Sequence, residues 1–475
     1  MKIMKMTGSC RLGAFVLSAL ALTAAAQPDL SKIRPRVEKI AEGEMERVGQ
    51  QSGLTSCFWL ATVSPSTFNI LIPDSGVVYW VTQYRLPAGA SLSLRGQFPK
   101  ARHISLNTYD EAGQPVDRLN DLMMEPDAGS TNPFRPHARR DAAQRDYQVR
   151  LTQAAVTAGA RVDDASRPAN TLYAPQGSAV QLWYRVYVPD QGADLKGSVP
   201  LPMPVLQLAD GSRLEGDAVC GEIVVKEGAL RDVRVPTEAL KPLFALPGAT
   251  SAYHPAQNPP SWNAFFNAPL SATNLLIGTP HEAIRARLDA TRRGGFYSTL
   301  DNTYMSAYVD RRFGEVLVIK GKAPTTPRTF AGGRVMEPAQ LRYWSLCKYR
   351  SLSDTAVDSC LYDEQVPLAA DGSYTIVMSS AAQRPANATA KCGVAWLDWG
   401  QGDGIGNPAG GFLAFRHMMP APDFAQSLFA TRKPGDEAST LGPYYPASAY
   451  SSRTAFEKQG CQARDAGAES NSGIG

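Results

Sequence analysis

The sequence has little charge and little histidine. Only 19% of its 475 residues are Asp, Glu, Lys or Arg, and the five histidines (His103, His137, His254, His281 and His417) are scattered. Neither sign dominates: 48 cations face 44 acids, a net of +4. A chain this close to neutral has no global field to hold a polyanion, which argues against nucleic acid and anionic membrane as main partners. Cys-x-x-Cys spacing and clustered histidine are missing, so no zinc-type metal centre is expected. Gly-x-Ser-x-Gly is also missing, and with it the strand–turn–helix elbow of the usual hydrolases. Beyond residue 22 there is no long apolar run, so the mature chain is expected to be soluble, with no membrane span. The overall composition excludes disorder, coiled coil and collagen.

What the chain does have begins with an export signal. Lys2, Lys5 and Arg11 form a basic head, residues 12–22 an apolar run, and Ala24-Ala25-Ala26 a small-residue cleavage site before Gln27. Cleavage there leaves 449 residues with 45 cations against 44 acids, a net of +1. Cys10 leaves with the signal, and Cys57, Cys220, Cys347, Cys360, Cys392 and Cys461 stay. An even count in an exported chain suggests disulfides, since the periplasm and the exterior are oxidising. Six cysteines allow about 15 pairings, and spacing alone does not choose among them. Cys347 with Cys360 would close a short polar loop, Cys57 with Cys220 would staple the first half, and Cys392 with Cys461 would tie down the tail. No cysteine sits at the cleavage point to carry a lipid anchor.

Short β-branched and aromatic runs punctuated by Gly and Pro fill most of the chain. Val77-Val78-Tyr79-Trp80-Val81-Thr82, Ser91-Leu92-Ser93-Leu94-Arg95, Tyr147-Gln148-Val149-Arg150-Leu151 and residues 180–188 are the clearest. With 40 Gly and 35 Pro, this is the pattern of antiparallel sandwiches. Helical signal is confined to residues 38–47 and to 280–293, where Thr279 is a candidate N-cap and Pro280 the first helical position. Residues 235–272, rich in Pro, Ala and Asn, read as a connector.

Four segments recur in order. Arg102-His103-Ile104-Ser105-Leu106-Asn107-Thr108-Tyr109 aligns with Arg342-Tyr343-Trp344-Ser345-Leu346-Cys347-Lys348-Tyr349. Leu92 through Gly96 matches Leu317 through Gly321, and Tyr147 through Arg150 matches Tyr374 through Val377. Leu182-Trp183-Tyr184-Arg185-Val186-Tyr187-Val188-Pro189 matches Leu413-Ala414-Phe415-Arg416-His417-Met418-Met419-Pro420. The fold expected is therefore all-β, with two tandem antiparallel β-sandwich domains and a short helical connector. Its parts are a signal peptide (1–26), a helical segment (27–54), a first sandwich (55–215), a connector with one helix (216–295), a second sandwich (296–430) and a partly disordered tail (431–475).

Asn170-Thr171-Leu172-Tyr173-Ala174-Pro175-Gln176-Gly177, followed by a strand ending Tyr184-Arg185-Val186-Tyr187-Val188-Pro189, resembles a bacterial family of exported domains of unknown function. That family carries an Asn-Trp-Leu-Pro-Ala-Pro turn leading into an Arg-x-Tyr strand. Here Thr171 stands in place of the Trp and Tyr173 in place of the first Pro, and the second copy has Lys391-Cys392-Gly393 where the turn belongs. The resemblance implies a jelly-roll-like sandwich and no particular activity.

Strand periodicity sorts the first matched segment into two faces. Ile104 and Leu106 point one way; His103, Ser105, Asn107 and Tyr109 point the other. In the matching strand Trp183, Arg185 and Tyr187 share a face. If the two faces coincide on one sheet, His103, Asn107, Tyr109, Trp183, Arg185 and Tyr187 form a ligand-binding concavity of rings and fixed polar groups. The plainer alternative is an ordinary solvated face. Downstream lie Asp110, Asp117, Arg118, Asn120, Asp121, Glu125 and Asp127, read as a loop that could hold Ca²⁺ through oxygen ligands or lend an acid for glycoside chemistry. Loops are also rich in Asp and Asn simply because these cap turns. No cofactor is expected beyond that possible Ca²⁺. Gly400-Gln401-Gly402-Asp403-Gly404-Ile405-Gly406 precedes a strand, so it reads as a hairpin loop and not a phosphate loop. His417 reads as a buried histidine, facing away from Arg416.

Three functions follow. The first is a periplasmic or secreted protein that binds, and could process, a neutral small molecule or saccharide on the aromatic and polar face. The second is a hydrolase or lyase with His103 as base and Asp121 or Asp127 as its acid partner. The third is a structural envelope module without ligand.

Overall fold

The computed structural model describes residues 55–111, 113–154, 167–227, 234–244, 251–267, 270–271, 291–292 and 297–461. The expected signal, the segment 27–54, nearly all of the 280–293 helix and the tail beyond residue 461 lie outside the described residues. Ten strands build the first half: β1 (Ala61–Val63), β2 (Val77–Tyr84), β3 (Ser91–Gln97), β4 (Ala101–Tyr109), β5 (Pro115–Asn120), β6 (Asp146–Ala154), β7 (Thr171–Pro175), β8 (Val180–Pro189), β9 (Met203–Gln207) and β10 (Arg213–Glu215). The second half has β11 (Asn263–Ala264), β12 (Asn302–Asp310), β13 (Val316–Lys322), β14 (Leu341–Tyr349), β15 (Val357–Tyr362), β16 (Ser373–Ser379), β17 (Val394–Asp398), β18 (Gly410–Pro420) and β19 (Ala447–Ser451).

The strand orders repeat. In the first sandwich one sheet runs β1-β2-β8-β4-β5 and the other β10-β9-β3-β6-β7. In the second they run β11-β12-β18-β14-β15 and β17-β16-β13-β19. The protein is thus all-β, as the strand pattern indicates. Pairing is antiparallel except at one place in each half, where β6 meets β7 and β16 meets β17 in parallel. All four recurring segments fall on equivalent strands and in equivalent register. Ser105 lies opposite Arg185 as Ser345 lies opposite Arg416, and Gly96 opposite Tyr147 as Gly321 opposite Tyr374. The glycine recurs for a steric reason. A Cβ on Gly96 would lie 2.6 Å from the Tyr147 hydroxyl, and one on Gly321 2.9 Å from that of Tyr374.

Both halves extend past the borders expected from sequence. Residues 216–223 stay with the first sandwich, where Val219 and Ile223 enter its core. The second sandwich recruits β11 from the connector and β19 from the tail, the latter pairing with β13 as β9 pairs with β3. A short helix, Thr237–Phe244, stands in the segment read as plain connector. Asn170 through Pro175, the turn of the family pattern, is mostly the strand β7. The disulfides are Cys57–Cys220, Cys347–Cys360 and Cys392–Cys461. Among the described residues no helix is long and apolar enough to cross a membrane.

Each sandwich has its own apolar core. Trp80, Leu94, Ile104, Leu106, Val149 and Tyr184 sit in the first; Met305, Ile319, Trp344, Leu346, Ile376 and Phe415 sit in the second. A third buried cluster joins them. It combines Val77, Tyr79, Val81, Tyr109, Trp183 and Tyr187 with Tyr297, Tyr343, Tyr362 and Met418. The β2-β8-β4 sheet therefore turns one face to its own core and the other to the second sandwich, which explains why all of β2 and β4 and nearly all of β8 are buried.

Candidate functional site

The six residues expected to form a ligand face do lie on one face of one sheet. His103 pairs across the ladder with Tyr187, Asn107 with Trp183, and Ser105 with Arg185, because period-two alternation puts positions i and i+2 on the same side. That face is neither solvated nor an open concavity. His103, Asn107, Tyr109, Trp183, Arg185 and Tyr187 are each at most 2% exposed. Residues of the second half cover them. The Tyr297 ring stacks on Trp183 at 4.7 Å, the Tyr343 ring meets Tyr187 edge-on at 5.4 Å, and the Tyr297 carbonyl accepts from Arg185 at 2.6 Å. Arg185 also donates to the Tyr109 hydroxyl and lies against the Tyr79 ring.

His103 and Asp121 come together. Nδ1 donates to the Asp121 carboxylate at 2.7 Å, and the same oxygen accepts from the Ile104 amide at 3.1 Å. Burial alone would raise the Asp121 pKa, but the Arg342 guanidinium and the His103 ring outweigh it and hold the carboxyl below its ordinary range. This is the geometry of an oriented base, in a place that no solvent reaches. Its counterpart in the second half is Asp363, which accepts from the Trp344 amide at 3.1 Å. The contacts across the join are reciprocal. Arg102 of the first half pairs with Asp363 and Glu364 of the second, while Arg342, the residue aligned with Arg102, approaches Asp121 to 3.7 Å. The two halves thus meet about a pseudo-two-fold axis.

The carboxylates after β4 do not form one loop. Asp117, Arg118 and Asn120 belong to β5, where the alternating pattern was obscured by their polarity. Asp117 pairs with Arg167, and Arg118 with Asp301. Asp121 lies in the join, Glu125 pairs with Arg135 at the surface, and Asp127 is exposed. Among the described residues the triads of ligand-type atoms are Cys57–Asp217–Cys220 and Asp74–Cys347–Cys360, each built on a disulfide; none of these seven loop residues joins them. The Gly400–Gly406 stretch, expected to be a hairpin loop, instead crosses from β17 in one sheet to β18 in the other, since these two strands do not pair, and His417 is buried against Phe415.

Asp127 lies instead on an open cleft of about 670 Å³ where β3 ends and β6 and β9 begin. Arg95 and Gln97 come from β3, Asp146 and Tyr147 from β6, Leu201 from the approach to β9 and Met203 from its first position. Gln97 donates to Asp146 at 2.9 Å, and Ser130 receives the Asp146 amide at 3.0 Å, so the polar floor is fixed. Asp127 closes the rim through the hydrogen bond that its backbone N–H donates to the Asp146 carbonyl. Of these residues Asp127 alone is among the preferred candidates of the sequence, and Ser130 follows it in the same stretch. The rest come from three strands that are distant in the chain, and the one local signal was Asp146 beside the recurrent Tyr147.

No family model and no curated protein matches the chain. It is similar to the crystal structure of an uncharacterised protein from Burkholderia cenocepacia, 10% identical, covering 93% of this chain and 95% of that one with a TM-score of 0.42. A protein from Vibrio parahaemolyticus is 11% identical, covering 86% of this chain and 96% of that one with a TM-score of 0.34. Neither assigns an activity.

Proposed function

We propose that the protein is an exported binding protein that takes a neutral, hydroxyl-rich ligand of saccharide type in the cleft beside Asp127. The carrying observation is the cleft itself: about 670 Å³ falls in the range of small-molecule sites, and it opens to solvent. Its lining alternates fixed polar groups (Gln97, Ser130, Asp146) with apolar surface (Leu201, Met203), which suits a sugar ring with polar edges and apolar faces. Three disulfides support the exported compartment. The hydrolase reading draws on the His103–Asp121 pair, which has the right bond but no path for substrate.

Titration calorimetry and thermal unfolding against a panel of mono- and disaccharides test the reading. A ligand at about 100 times its dissociation constant should stabilise the fold by about 2.7 kcal/mol. Ala128→Trp, at an exposed position on the cleft wall, should abolish that gain without lowering the stability of the free protein. No gain with any sugar, or a gain that survives Ala128→Trp, overturns it.

A further inference from the structure

The internal repeat allows each residue of the join to be compared with its counterpart, and one pair does not match. Arg185 and Arg416 occupy equivalent places. Each stands opposite a serine, Ser105 or Ser345, and each lies against a tyrosine ring from the neighbouring strand, Tyr79 at 5.2 Å or Tyr304 at 5.1 Å. Both are 2% exposed. Arg416 is neutralised. Asp74, reaching over from the first half, pairs with it at 2.7 Å and also accepts from Ser345 at 2.6 Å and Tyr343 at 2.8 Å.

Among the described residues Arg185 has no such carboxylate. Its acceptors are the Tyr109 hydroxyl and the Tyr297 carbonyl, both uncharged; its Nε hydrogen has no acceptor, which is true of Arg416 as well, so the difference between the two lies in the counter-charge. On the same face the Trp183 indole N–H and the Tyr187 hydroxyl are also buried without a partner. Ser105 accepts from Asn107 at 3.0 Å and keeps its own hydrogen to give. The groups around Arg185 include Tyr79, Tyr109, Trp183, Tyr187, Tyr297 and Tyr304; the nearby His103 is engaged with Asp121. A buried guanidinium without a counter-charge is costly, and an anion beside it would supply the missing charge and an acceptor for its Nε hydrogen.

We propose that the domain join holds one small monovalent anion, a halide or a short carboxylate, against Arg185, in the place that the Asp74 carboxylate takes against Arg416. This site is independent of the outer cleft. The anion would lock the two halves together, as Asp74 does on the opposite side of the pseudo-axis.

The test uses the full mature protein, desalted into the sodium salt of a bulky sulfonate and then denatured. Ion chromatography should find a single equivalent of chloride or short carboxylate released per chain. Replacing the sulfonate stepwise by chloride, formate or acetate at constant ionic strength should give a saturable rise in the unfolding midpoint, and the anion giving it tells halide from carboxylate. Ser105→Asp, which sets a carboxylate directly opposite Arg185, should release no anion and lose the dependence. Ser212→Asp, at an exposed turn, should retain both. Absence of release together with no saturable shift overturns the proposal, and so does full release from Ser105→Asp; the wild-type measurement decides even if that variant does not fold.

Discussion

His417 shows how one residue can weigh on the acid tolerance of the fold. It stands on β18 next to Arg416, and alternation sends the two side chains to opposite faces: Arg416 into the join, His417 into the core of the second sandwich. There Nδ1 accepts the Leu428 amide at 3.3 Å, and burial lowers the ring pKa from 6.5 to about 3. The folded form therefore excludes a proton that the unfolded form binds. Stability is complete above pH 6.5 and falls as pH drops towards about 3, with a slope approaching about 1.4 kcal/mol per pH unit. His417→Gln keeps an acceptor and does not titrate. Urea midpoints measured from pH 7 down to pH 4 should thus fall less steeply in the variant than in the wild type. The carboxyl of Asp121 is held below its ordinary 3.8, so its own loss begins only under that window. Equal slopes in the two proteins would show that His417 is protonated in the fold or is exposed by a local opening.

At the scale of the element, the recurring Gly-and-Tyr pair governs the outer sheets. Gly96 on β3 lets the Tyr147 ring of β6 lie across its backbone, and Gly321 does the same for Tyr374. Gly96→Ala puts a methyl where the ring is, at a cost of about 1–3 kcal/mol by denaturant unfolding. Tyr147→Leu in the same chain should relieve most of that cost, and simple additivity in the double-mutant cycle would disprove the contact. This pair was legible in the sequence because both members lie inside recurring segments with a period of two. The same holds for β4, β8, β14 and β18, whose alternation gave the right residues on each face. What covers the outer face was not legible. A buried polar face and a solvated one share the same alternation, and the covering groups Asp74 and Tyr297 come from lead-in segments that carry no periodic signal. The strands β11 and β19 were missed for a related reason. They are short edge strands with little apolar content, stabilised by neighbours far away in the chain.

At the scale of the molecule, the join is too costly to open for the halves to behave separately. Opening it would expose Tyr79, Val81, Tyr109, Trp183 and Tyr187 from the first half and Tyr343 and Met418 from the second, all nearly inaccessible now. It would also break the crossed pairs Arg102–Asp363 and Arg416–Asp74, and leave each of these carboxylates without its guanidinium. An interface of this kind resembles a core divided between two domains, and such domains lose cooperativity only when the contact between them is small and polar. Calorimetry on the whole chain should therefore show one transition, with the van't Hoff enthalpy equal to the calorimetric one. Asp74→Asn removes the acid that Arg416, Ser345 and Tyr343 share. Because Asp74 belongs to one half and its partners to the other, the variant should lower the midpoint of the whole transition and not split it. Two resolved transitions in the wild type would mean that the sandwiches are energetically independent and that the crossed pairs fix orientation alone; a split confined to Asp74→Asn would mean that this one carboxylate carries the coupling.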